Sequence, residues 1–248
     1  MQHIRLFVRF ATVAVLMVAI SLVPVTPVRA AEGDATQIQE ALRQLGLYRG
    51  PINGEYDEAT GDAILALHKA AGVERTRDWI DEDWINIQAL TSLGFEIPER
   101  PDEPNRVEID LYRQLLFLVE DGKTVAVFPI VSGRGDTYQT LGHASGGFHT
   151  PVGDFTILRH VDGWRHAALG RIYRPWYFVG GYAIHGGRVA HPEPASHGCV
   201  RVPMAGMDWL EGRLGLGMPV HVWVGEDPTD VGAYRLEHAV AGESYALR

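Results

Sequence analysis

The 248-residue sequence predicts a mainly β domain with one short helix, preceded by a small three-helix domain. Three observations predict this. Apolar residues recur at helical spacing over residues 36–90, and the period becomes two from Val107 onward. Between them stands "IPERPDEPN" (97–105), whose three prolines and alternating charges read as an extended linker with few contacts across it.

Residues 1–30 come first. "MQHIRLFVRF" is basic, residues 11–25 are apolar, and "VRA" at 28–30 supplies small residues for cleavage, the pattern of a secretory signal peptide. The apolar run is shorter than the ~20 residues of a spanning helix and is cut by Pro24 and Pro27, so cleavage is expected rather than an anchor. The chain is therefore read as exported to the periplasm or cell wall, touching membrane only during passage. Losing that leader removes three arginines and no acid, taking the formal charge from −9 to −12. Such a surface repels phosphate backbones, which excludes nucleic acid as a partner.

The helical domain is placed at residues 33–96. Its first helix carries Ile38, Leu42 and Leu45, its second Ala63, Ile64 and Leu67, and its third Trp84, Ile87 and Leu90. Gly46, Gly50-Pro51 and Asn53-Gly54 are turn formers between the first two, and Asp57 is suited to cap the second.

The β domain is placed at 106–225, followed by a tail, 226–248. Val107, Ile109 and Leu111 alternate with Glu108, Asp110 and Tyr112, which predicts a half-buried strand. "LLFLV" and "TVAVFPIV" flank Asp121-Gly122, a tight hairpin signal. Further strand candidates are "DFTIL", "YAIH", "CVRV" and "VHVWV". The helix is expected over 203–214, with Met207, Leu210 and Leu214 on one face. Residues 132–153 have six glycines and no period, suiting either a lid or a surface insertion.

Chemistry centres on the one cysteine, Cys199, in "YAIHGGRVAHPEPASHGCVRV" (182–202). A single cysteine in an exported chain can form no internal disulfide, so it is either buried and inert or kept for reactivity. If "SHGCVRV" is extended, His197, Cys199 and Arg201 share one face while Val200 and Val202 share the other. Nearby positive charge then favours the thiolate. The N–H groups of Gly198 and Cys199 are candidates for holding an oxyanion. His185 is the candidate base, with the Gly186 carbonyl available to fix its tautomer. His185, His191, His197 and Cys199 are also zinc-competent, but their spacing matches no zinc pattern. His143, His149, His160, His166 and His191 read as ordinary surface or core histidines.

These residues resemble a known family. "IHG", nine residues, then "SHGCVR" looks like the active-site signature of the L,D-transpeptidases, the YkuD-like cysteine enzymes of bacterial cell walls. "VEIDLYRQLLFLVEDGKTVAVFPIVSGRG" and "TPVGDFTI" are similar to other parts of that domain. The resemblance implies a two-sheet β-sandwich in which Cys199 is the nucleophile and His185 the proton acceptor and donor, with His197, Gly186 and Gly198 completing the catalytic set. Substrate contacts are expected from Arg201, Ser196, Tyr182 and Trp176, the last standing where the family more often has Pro-Tyr.

The implied reaction is attack of the thiolate on the third residue of a peptidoglycan stem tetrapeptide. D-alanine leaves, and the thioester passes to a neighbouring stem's amine as a 3-3 cross-link. Carbapenems are implied as covalent inhibitors, and no cofactor or metal is implied. Hydrolysis of the thioester, attachment of a protein to the wall, or a silent wall-binding protein are the alternatives. The helical segment "IQEALRQLGLYRGPINGEYDEATGDAILALHKAAG" is similar to peptidoglycan-binding domains. It departs from them at "LHKAAG", where Phe-Gln is usual, and at "RTRDWID", where an Asp-Gly turn is customary.

Overall fold

The computed structural model describes residues 34–134, 148–167, 170–189 and 192–225. The leader, the tail, His143, His191 and most of the glycine-rich 132–153 stretch lie outside the described residues.

Helix α1, Ala35–Gln44, starts where the Asp34 side chain accepts the Thr36 N–H at 3.0 Å. Its Gln39, buried, donates to Asn53 Oδ1, the Glu55 carbonyl and Thr60 Oγ1, and accepts the amides of Asn53 and Gly54. One side chain thereby organises the whole turn into α2, Glu58–Ala71. Asp57 caps α2 as expected, accepting the Thr60 N–H at 2.8 Å, and Gly72 ends it in the left-handed conformation. Helix α3 spans Asp83–Leu93.

The strands are β1 Arg106–Asp110, β2 Leu115–Glu120, β3 Lys123–Pro129, β4 Gly153–Thr156, β5 Arg159–His160, β6 Trp164–Ala167, β7 Gly170–Val179, β8 Tyr182–Gly186, β9 Val200–Val202 and β10 Pro219–Trp223. Helix α4, Met204–Glu211, lies between the last two. The order β3-β2-β1-β10-β4 forms one sheet, and β5-β7-β8-β9, with β6 on β7, forms the other. Pairs β1/β10 and β8/β9 are parallel and the rest antiparallel. This is the mainly β, two-sheet class that was expected. Asp121 and Gly122, at φ 50° and 74°, make the β2–β3 hairpin, since both central positions of that turn require positive φ.

The main core lies between the sheets and under α4, with Ile109 and Leu118 from one side, Ile184 and Val200 from the other, and Met207 and Leu210 from the helix. A second core corrects the reading of the linker. Ile38, Leu42 and Ile64 of the helices share it with Leu115, Phe117 and Val127 of β2 and β3, so the helical segment is packed on the outer face of the first sheet. Lys69 Nζ, buried, donates to the Ile130 carbonyl at 2.9 Å and the Gln114 carbonyl at 3.3 Å. Arg77 joins Asp62 of α2 at 2.6 Å and also donates to the Val189 carbonyl. Arg75 holds Glu193 through both carboxylate oxygens at 3.0 Å. Lys69 belongs to "LHKAAG", and Arg75 and Arg77 to "RTRDWID". The segment departs from the peptidoglycan-binding pattern at the residues that dock it here.

Strand β1 also differs from expectation. Glu108 and Asp110 are fully buried, not solvent-facing, because residues 94–104 cover that face of the sheet. Arg106 reaches Glu108 at 2.6 Å and Arg100 reaches it at 3.2 Å, while Arg113 pairs with Asp110. Burial of each carboxylate is thus matched by a guanidinium. The reading names no strand between "DFTIL" and "YAIH", where β5, β6 and β7 lie. Strand β6 is exposed on both faces, and β7 carries Pro175 and an irregularity at Arg174, φ 46°, so neither has a period-two signal.

Candidate active site

Strands β8 and β9 run parallel with His185 opposite Arg201 and Ile184 opposite Val200. Directly opposed residues share a face, so Ile184, Val200 and Val202 enter the core while His185 and Arg201 face away from it. Cys199, two residues before Arg201, lies on that same outward side. All three line one cavity of about 790 Å³, together with His197, Tyr182 and Tyr177.

The segment before β9 is not the extended strand that alternation suggests. It bends at residues 197–199, and Gly198 has φ 122°. A side chain there would meet Tyr182 Cε1 at 2.4 Å and the His149 carbonyl at 2.8 Å, so only glycine fits. The bend points His197 into the cavity edge-on to Phe148, ring centroids 4.5 Å apart. Thr150 Oγ1 donates to the Gly198 carbonyl at 2.8 Å and accepts the Gly133 N–H at 2.9 Å. Ser196 Oγ accepts the Gly198 N–H at 3.0 Å and donates to the Cys199 carbonyl at 2.6 Å. The Gly198 N–H is therefore occupied, which corrects the expectation that it points at a substrate oxygen. Ser196, expected to touch substrate, lines the same cavity and, from its buried side chain, also ties the bend together.

A parallel pair needs a crossover, here residues 187–199. Its backbone is held from outside. The Ser132 carbonyl accepts the amides of Ala195 and Ser196, and Gln114 holds Ser132 through two hydrogen bonds, its Nε2 donating to Ser132 Oγ at 2.7 Å and its Oε1 accepting the Ser132 N–H at 2.9 Å. Leu65 of α2 packs with Val131, Val189 and Ala195. The helical segment thus supports the loop that joins His185 to Cys199.

The imidazole of His185 is buried, and its Nδ1 donates to the Gly186 carbonyl at 3.0 Å, leaving Nε2 as the unprotonated nitrogen. Burial, helped by the Arg201 charge, pulls its pKa down to about 4 against the opposing Gly186 bond. The Cys199 thiol is pushed up by burial, with the Ala183 amide and Arg201 working the other way. Both shifts oppose the charged form, against the thiolate that Arg201 favours, because desolvation outweighs one guanidinium.

Trp176 does not line the cavity. Its indole is buried, stacked on His160 with centroids 3.9 Å apart, and donates to Glu211 at 3.1 Å. The next residue, Tyr177, alternates to the opposite face and lines the cavity instead. Trp164, Arg165 and Arg171 of β6 and β7 also line it. Strand alternation through "RPWYFVGG" was the signal that could have singled out Tyr177.

Residues 104–222 match the family model of the L,D-transpeptidase (YkuD) catalytic domain. A crystal structure of an L,D-transpeptidase from Xylanimonas cellulosilytica is 37% identical, covering 76% of this chain and 92% of that chain with a TM-score of 0.65. The chain belongs to the YkuD family of L,D-transpeptidases. An L,D-transpeptidase from Stackebrandtia nassauensis is 21% identical over 80% of this chain and 94% of that chain, with a TM-score of 0.48. One from Mycobacterium tuberculosis is 20% identical over 48% and 57%, with a TM-score of 0.41. No curated protein matches the chain. As a YkuD-family enzyme, the protein has Cys199, His185 and Arg201 lining one cavity, with Gly198 required by the backbone beside them.

Proposed function

We propose that the protein is an exported L,D-transpeptidase that acylates Cys199 with a peptidoglycan stem tetrapeptide and transfers the acyl group to an acceptor amine. The observation that carries this is the pairing of Cys199 with His185 in one cavity, the imidazole fixed by Gly186 with Nε2 free of a proton. In the donor complex, the thiol proton passes to His185 Nε2 as sulfur attacks the carbonyl of the third residue. The Cys199 N–H is the candidate donor to the oxyanion. Collapse breaks the C–N bond, and His185 returns the proton to the departing D-alanine amine. The acceptor amine then attacks the thioester, His185 takes its proton, and the sulfur leaves and recovers that proton as a thiol.

A pKa of about 4 makes His185 a weak base at rest and a strong acid once protonated. Proton transfer is therefore coupled to bond formation rather than completed beforehand. The leader pattern of residues 1–30 supports export, and the resemblance of residues 36–90 to peptidoglycan-binding domains supports a contribution to wall binding.

Incubating purified protein with disaccharide tetrapeptide tests the reading by mass spectrometry. The expected products are a Cys199 adduct lacking D-alanine and a 3-3 linked dimer, both absent in Cys199→Ala. Full activity in Cys199→Ala would sink it.

A further inference from the structure

The cavity has a sign that acyl transfer alone does not require. Arg165, Arg171, Arg188 and Arg201 line it, and among the described residues no Asp or Glu does. This occurs on a chain with a formal charge of −9, in which other arginines are matched with acids, Arg106 with Glu108, Arg113 with Asp110 and Arg77 with Asp62 among them. Among the described residues, none of the four cavity guanidiniums has an ion pair. Arg201 instead donates to the Arg188 carbonyl at 3.3 Å, and Arg171 lies over the Trp164 ring at 4.5 Å.

Their placement is directional. Arg165 opposes Ile172, and His185 opposes Arg201, so Arg165 and Arg201 stand at two ends of one cavity wall with Ile172 and His185 between them. Arg188 follows His185 by three residues at the start of the crossover. Only Arg201 acts on the ionisation of His185 and Cys199. The charges of Arg165, Arg171 and Arg188 are left for whatever enters.

We propose that Arg165, Arg171 and Arg188 read free carboxylates on the donor stem, so that the enzyme selects stems with unmodified carboxylates over stems in which these are amidated. The inference rests on the L,D-transpeptidase reading of the cavity. The leaving D-alanine carries a carboxylate next to the scissile amide, and a diamino acid with a second carboxylate places another close by. A guanidinium fork meets a carboxylate through two parallel charge-assisted hydrogen bonds. A primary amide offers no charge, and its NH2 group turns donors toward donors.

The test is calorimetric titration of the full chain carrying Cys199→Ala, with two tetrapeptides that differ only in amidation of the side-chain carboxylates. The free-acid stem is expected to bind about tenfold more tightly, one charge-assisted contact's worth, with the gap shrinking at high salt. Adding Arg165→Gln and Arg188→Gln should collapse the preference, and lysine at both positions should retain most of it. Thermal midpoints should stay constant across these variants, because neither side chain has an ion pair or side-chain hydrogen bond among the described residues. Equal affinity for the two stems, or an undiminished preference in the double glutamine variant, overturns the proposal. Failure of the transfer reading has a different signature. Selective binding with no D-alanine release by the unmodified chain would sink acyl transfer and leave the carboxylate-reading wall standing.

Discussion

Ser196 Oγ sits 3.0 Å from the Gly198 amide and so fixes the bend that presents Cys199. The same hydroxyl donates to the Cys199 carbonyl at 2.6 Å, and the bond to the Gly198 amide is buried while that to the carbonyl is partly so. Ser196→Ala leaves a buried N–H and a carbonyl without that partner, a loss of about 1–3 kcal/mol. Acylation of Cys199, followed by intact-protein mass spectrometry, is expected to slow roughly tenfold or more as the bend loosens. The melting midpoint should fall by several degrees. An unchanged rate and midpoint would mean that the loop is held by Thr150 and Ser132 alone.

His185 gives stability a pH dependence of definite sign. Folded, it stays neutral down to about pH 4; unfolded, its imidazole takes a proton near ~6.5. Between those values the unfolded chain binds more protons, so this contribution is complete above ~6.5 and is lost as pH falls toward 4. The loss is about 3 kcal/mol at roughly 1.4 kcal/mol per unit. His185→Asn should remove that part of the slope in denaturant titrations across this range. A slope identical to that of the unmodified protein would show that the folded ring takes up its proton no later than the unfolded one as pH falls.

For the thiol, alkylation of Cys199 by iodoacetamide should rise with pH, with a midpoint above the ordinary cysteine value, since burial is the dominant influence. Arg201→Gln should move the midpoint higher still, because Arg201 favours the thiolate. A midpoint below the ordinary value in the free enzyme would restore the picture of a standing thiolate.

Lys69 makes a test of the same sign at alkaline pH. Burial brings its pKa down to about 7, whereas the unfolded side chain titrates near ~10.4. Over that window the unfolded state again holds the extra proton, so stability from this group increases as pH rises from about 7. Lys69→Met keeps the volume and removes the titration. Its stability curve should be flatter between pH 7 and 10, and a curve parallel to the unmodified protein's would place the ammonium in solvent.

Cutting the chain at the family boundary should fail. Leu115, Phe117 and Val127 are wholly buried under α1 and α2, and a 104–225 fragment would bare them at about 1.5–3 kcal/mol per side chain. Size-exclusion chromatography should find the fragment aggregated and the full chain discrete. A monomeric fragment that melts cooperatively and acylates at the full chain's rate would assign the helical segment no supporting role.

Much of this architecture was legible because its signals are local. Asp57 announces a cap, Asp121-Gly122 a hairpin, and Ile38, Leu42 and Ile64 an apolar face, each within a few residues. Cys199 and His185 were legible from residue chemistry and motif, and the Gly186 carbonyl does meet His185 Nδ1 as their adjacency suggested. What escaped is what depends on neighbours distant in the chain. Glu108 and Asp110 look solvent-facing until Arg100, Arg106 and Arg113 arrive. Trp176 looks like a pocket residue until Glu211 claims its N–H. The proline-rich linker looks loose, yet Arg106 reaches back to the Pro98 carbonyl and Gly122 to that of Pro104. The thiol's state turns on desolvation, which no run of residues displays.

The parallel pairing of β1 with β10 sets a timetable for folding. Strand β4 has no neighbour in its sheet until β10 exists, because β10 is the strand that separates it from β1. Until Trp223 has been made, the β3-β2-β1 meander, the helices on it and the β5-β7-β8-β9 sheet can pair, but β4 waits without a partner strand. Contacts so distant in sequence form late and slowly. The first sheet is therefore completed only by the last of the described strands, after β8 and β9, which carry His185 and Arg201 in the other sheet, have already been made.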